Sequence, residues 1–216
     1  GNWHFEDERG WPTPAVLSGG AEILVDGAVG RGLWFAADAG GSASLGRSPS
    51  FDVDDGFLVE VFVKIAEGMA APLVSKGRAF QLSVTADLGV EVKVRTRERR
   101  EPIGDATAAP AADGPGRRPG GAGEADYRTL SLARCINPGR WTRIGAAYDG
   151  HGLRLFVNGR QRAVTHNEEL LPHWPDPEGE LKVGSTSPQF VGGIDELRLA
   201  GMTVFASEPL PEGVAF

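Results

Sequence analysis

Acid–base or nucleophilic chemistry on this chain would rest on carboxylates, because its other reactive residues are few and scattered. The histidines are His4, His151, His166 and His173, and no two stand at a metal-ligand spacing such as His-x-x-x-His. Cys135 is the one cysteine, so neither a disulfide within the chain nor a Cys-based metal cluster can form. It carries no nucleophile signature and reads as a small buried hydrophobe. No Gly-x-Ser-x-Gly elbow occurs. The carboxylates do not form the closely spaced set that glycoside hydrolysis needs. Glu60, Glu91, Glu180 and Glu196 fall on separate segments and read as solvated strand residues.

One acid stands apart. Asp195 shares parity with Leu197 and Leu199 in the last apolar run, so strict alternation aims it at the core. A buried carboxylate needs partners: backbone N–H groups, an arginine or a cation. A bulge at Gly192-Gly193 would instead turn it away. A loop anchored by hydrogen bonds is the simpler reading, and a metal site is the sharper one. Oxygen donors select calcium as the cation, with Glu6 as a second ligand if the first and last strands pair. No EF-hand loop or other contiguous calcium motif accompanies them.

The aromatics offer a different chemistry, since a flat ring suits the C–H face of a sugar. Trp34 lies opposite in parity to Leu33 and Phe35, which puts it on the face away from them. Trp174 sits in the rigid stretch Pro172-His173-Trp174-Pro175. These two are the candidate ligand platforms.

The elements that must position these residues are strands. Phe57, Val59, Val61, Val63 and Ile65 alternate with Leu58, Glu60, Phe62 and Lys64. Phe80–Val84 and Val90–Val94 alternate likewise around the turn Asp87-Leu88-Gly89. Leu153–Val157 runs into Asn158-Gly159, a strong hairpin signal, and then into Arg160–Val164. Late strands are expected from Leu181 and over Ile194–Leu199. Helical periodicity is nearly absent, apart from a short turn expected around Glu168–Leu171. The pattern predicts an all-β, two-sheet antiparallel β-sandwich of the jelly-roll kind.

The stretch Glu101–Asp126 is rich in Pro, Gly and Ala and reads as a disordered insertion between two strands. With strand-like alternation resuming at Tyr127, residues 1–216 are expected to form a single domain. The formal net charge of −7 argues against nucleic acid as a partner. No apolar run approaches the length of a membrane span, so membrane insertion is not expected. The chain opens at Gly1 without a basic-then-apolar leader, as a cleaved or trimmed start would leave it.

Five ordered segments carry a family resemblance. They are Phe57–Lys64; Pro72–Gly77; Trp141–Ile144 followed by Ala147–Gly150; Leu153–Gly159; and Lys182–Gly184 followed by Gly193–Arg198. Together with the opening residues Trp3–Glu6 and Gly32–Asp38, the series resembles laminin G-like (concanavalin A-like) lectin domains. The insertion and the stretch Leu170–Glu180 depart from it. The resemblance implies a jelly roll with Trp141 in the core, exported to the periplasm, cell surface or extracellular space. It also implies noncatalytic binding of carbohydrate or an extracellular protein, with calcium as an optional aid, as part of a larger protein. A carbohydrate-active hydrolase or lyase on the same fold, or an adhesive spacer domain, are the alternatives.

Overall fold

Alternating apolar and polar residues, punctuated by Gly and Asp turns, fold into strands throughout the computed structural model. It describes residues 2–3, 15–24, 26–52, 56–96, 127–166 and 176–202. Among the described residues the fifteen strands form two antiparallel sheets, and none forms a helix long and apolar enough to cross a membrane.

The first sheet has the order β13 (Arg160–Val164), β12 (Leu153–Val157), β11 (Thr142–Tyr148), β6 (Gly56–Lys64), β15 (Gly192–Met202), β4 (Gly32–Phe35), β3 (Ala21–Leu24). The short β1 (Asn2–Trp3) pairs with the later half of β15, so the first and last strands do meet. The second sheet has the order β10 (Tyr127–Leu132), β9 (Val90–Arg95), β8 (Phe80–Val84), β7 (Ala71–Lys76), β14 (Leu181–Ser185), β5 (Gly41–Ser44), β2 (Val16–Gly19).

Strand parity sets what lies between the sheets. Phe57, Val59, Val61, Val63 and Ile65 are buried in the core, as are Phe80, Leu82 and Val84 opposite. Phe57 stacks on Phe80 with ring centroids 4.6 Å apart, tying β6 to β8 across the sandwich. Each such side chain contributes roughly 1.5–3 kcal/mol on burial. The hairpin signals hold. Asn158 and Gly159 both take positive φ, as a type I′ turn requires, and Leu88 takes φ 63° between β8 and β9. β9 and β10 pair directly from Tyr127↔Arg95 to Leu132↔Val90, so the Glu101–Asp126 stretch joins neighbouring strands. That stretch lies outside the described residues, as do the turn expected at Glu168–Leu171, Trp174 and Glu6.

Strict alternation fails at Asp195, where the sequence left a bulge open, and the expectation for Trp141 is corrected. Asp195 does not face the core. The pairing of β15 with β6 shifts between Asp195 and Arg198, and Glu196 adopts φ 52°. This bulge lies just beyond Gly192-Gly193. It reverses the alternation, so Ile194, Leu197 and Leu199 all reach the core while Asp195 pairs with Phe62 on the outer face. Trp141 is not a core residue either. It precedes β11 on the outer side of the first sheet, half-buried, and packs edge-on against Trp34.

Candidate functional site

The outer face of the first sheet carries a row of four residues across four neighbouring strands. Pairing places Gly193 beside both Lys64 and Trp34, while Thr142 opposite Val63 brings Trp141 alongside Lys64. Trp34 and Trp141 meet edge to face, with centroids 5.9 Å apart and planes at 73°. Lys64 Nζ lies 5.3 Å from the Trp34 ring and 5.9 Å from the Trp141 ring, within cation–π range of both. Asp26, from the β3–β4 loop, closes a 2.8 Å ion pair with the same ammonium. The residue between Lys64 and Trp34 must be glycine. A Cβ on Gly193 would stand 2.6 Å from Trp141 Cη2 and 3.2 Å from Trp34 Cζ2.

Beside this row opens a pocket of ≈ 390 Å³. Its walls include Trp34, Phe35, Ile65, Met69 and Val191, with Lys64, Glu67 and Gln189 as polar members. Two walls are fixed by hydrogen bonds. Val191 N–H donates to Met69 Sδ at 3.3 Å. Gln189 Nε2 donates to the Ala36 and Ala37 carbonyls, each at 2.8 Å. The indole nitrogens of Trp34 and Trp141 are buried, with no hydrogen-bond partner among the described residues. A mostly apolar cavity with a few convergent polar groups is the usual form of a small-ligand site.

Asp195 belongs to the support of this region. It is fully buried beneath the β3–β4 loop, where Oδ2 accepts from Val29 N–H at 3.0 Å and Oδ1 from Glu196 N–H at 2.8 Å. Burial pushes its carboxyl above the ordinary Asp range, and those N–H groups pull it back only in part. Gly27 and Gly32 let the loop close over it: a Cβ on Gly27 would stand 2.8 Å from Asp195 Oδ2. Both Asp195 oxygens already accept backbone N–H groups, and no three His, Cys, Asp or Glu side chains among the described residues gather as a metal site would require.

A second cleft, of ≈ 190 Å³, holds two carboxylates, Glu60 and Glu196. Glu60 is 4% exposed, and its Oε2 is engaged by Arg143 at 2.8 Å and Arg198 at 3.6 Å. That bracing makes Glu60 the centre of an ion-pair network on the sheet.

The sequence singled out Trp34 and Asp195, which lie near one another on the outer face. It missed Trp141, Lys64 and Asp26 as partners of Trp34. The one signal for them was a glycine inside a strand, Gly193, which marks a close approach of other groups.

A scan against protein-family models finds no match, and a search of curated proteins finds none. Solved structures with the same fold are found. The binding domain of botulinum neurotoxin serotype G superposes with a TM-score of 0.61 at 10% identity, over 95% of this chain and 48% of that one. The serotype D binding domain gives 0.55 at 9% identity, over 87% and 44%. Domain 4 of AbnA, a GH43 extracellular arabinanase from Geobacillus stearothermophilus, in complex with arabinotriose, gives 0.60 at 16% identity, over 95% and 93%. This chain therefore spans less than half of each toxin binding domain and nearly all of the arabinanase domain. At these identities the likeness is one of fold: a two-sheet β-sandwich, as the strand pattern predicted.

Proposed function

We propose that this chain is a single-domain, noncatalytic carbohydrate-binding module of a larger exported protein, and that it is a relative of the laminin G-like lectin domains. The observation that carries this reading is the Trp34–Lys64–Trp141 row beside a largely apolar pocket. Aromatic plates at a pocket mouth stack on sugar rings. The arabinanase domain, which matches almost end to end and was captured with arabinotriose, supports the same reading by analogy. So does a further structure of the same fold, described with the finding that cell entry of botulinum neurotoxin type C is dependent upon interaction with two ganglioside molecules. An extracellular setting is proposed on the same grounds.

The site reading has Trp34 as a ligand contact and Asp195 as the anchor of the β3–β4 loop. Calcium is then not needed at Asp195. A glycan array run with and without calcium tests the proposal. We expect a discrete set of glycans to bind in both conditions and to be recovered uncleaved. A flat array in both conditions would favour an adhesive spacer. Cleaved glycans would favour a hydrolase or lyase.

A further inference from the structure

Resting on the reading of the chain as a sugar-binding module, we infer that the pocket beside Trp34 selects neutral sugars and discriminates against carboxylated ones such as uronates and sialates. Three observations lead there. First, the cation among the described lining residues is already paired: Lys64 is held by Asp26 at 2.8 Å and lies over two indole rings. A carboxylate on the ligand would have to displace Asp26 to reach it. Second, the remaining charged wall is Glu67, exposed and negative, in a chain of net charge −7. Like charge at the mouth opposes an acidic ligand.

Third, the polar groups left over suit hydroxyls. Gln189 spends both amide hydrogens on the Ala36 and Ala37 carbonyls, which fixes the amide orientation and leaves Oε1 as an acceptor. A hydroxyl donates to that oxygen, whereas a carboxylate only accepts. The partly exposed apolar walls, Met69 and Val191, with the Trp34 ring, take the C–H face of the sugar. The volume of ≈ 390 Å³ lies in the range of small-ligand sites.

The test is isothermal titration of the whole chain with neutral trisaccharides of arabinose, xylose, glucose and galactose, and with the same trisaccharides ending in a uronate or a sialate. The expected result is that at least one neutral probe binds about ten-fold or more tighter than its acidic counterpart, a gap of about 1.4 kcal/mol. Glu67→Lys is expected to narrow that gap by raising affinity for the acidic probe. Trp34→Ala, shown folded by circular dichroism and thermal melting, is expected to lose about ten-fold or more in neutral-sugar affinity. Acidic probes binding as tightly as neutral ones would overturn the selectivity while leaving the sugar-binding reading intact. Neutral binding that survives in folded Trp34→Ala would overturn the site. No binding by any probe, neutral or acidic, would overturn the sugar-binding reading and the selectivity with it.

Discussion

Replacing Lys76 by alanine is expected to lower the unfolding free energy by about 3–5 kcal/mol, the cost of breaking a buried ion pair from one side. Lys76 ends β7 with its side chain turned inward, 1% exposed, beside Phe80 and Leu181. Its ammonium donates to the carbonyls of Asp176 at 2.7 Å and Gly179 at 2.6 Å, and pairs with Asp52 at 3.0 Å. Two carbonyls and a carboxylate thus surround the ammonium, and one lysine joins the turn at Pro49–Phe51 to the segment 176–179. The same segment is held from the other side, where Asp176 Oδ2 accepts from Arg78 N–H at 2.7 Å. Without the ammonium, two carbonyls and a mostly buried carboxylate lose their partner together. Lys76→Met keeps the aliphatic stem and should recover only the packing part of the loss. Urea unfolding of both variants measures the difference. A loss below about 1 kcal/mol for Lys76→Ala would mean that water reaches the ammonium.

Asp195→Ala is the second large effect, expected at about 2–4 kcal/mol. It leaves the part-buried N–H groups of Val29 and Glu196 without their acceptor, at roughly 1–3 kcal/mol for a fully buried group and less where water reaches it, and it empties the space of a fully buried side chain. Because the β3–β4 loop also carries Asp26, the ion pair on Lys64 should weaken with it. The pH dependence has a definite sign. Burial raises the folded-state pKa of Asp195, so between the ordinary carboxylate range and that raised value the native chain binds more protons than the unfolded one. This group's contribution to stability therefore falls as pH rises through that window, and is flat above it. Glu180 works in the opposite direction, since its hydrogen bond and charge interaction with Lys182 lower its pKa. The contribution of Asp195 is thus best read as the difference between wild type and Asp195→Asn, which carries no titrating group there. A difference that does not change with pH would contradict the burial of the carboxyl.

Much of the sandwich was legible because its strands bury one face at a time. The odd residues of Phe57–Ile65 and the Asn158-Gly159 turn each report a local backbone state that no distant group overrides. The bulge at Glu196 was not legible in place. Ile194-Asp195-Glu196-Leu197 alternates acceptably in either register, and the choice is made by the fit of Asp195 beneath a loop 166 residues away from it in sequence. Lys76 reads as an ordinary polar strand end, and its burial depends on two carbonyls about a hundred residues downstream. Trp141 resembled a core tryptophan of the family. The outer row that claims it exists only once β11, β6, β15 and β4 are side by side. Local chemistry was readable, whereas groups brought together by sheet order were not.

The central claim is that sugar is bound at the Trp34 end of the first sheet. The most direct test follows the five tryptophan indole N–H resonances by NMR while a glycan identified on the array is titrated in. The Trp34 signal is expected to move furthest with saturable binding, Trp141 to follow through their edge contact, and added calcium to change neither. Saturable binding with the Trp34 and Trp141 signals unmoved would contradict it.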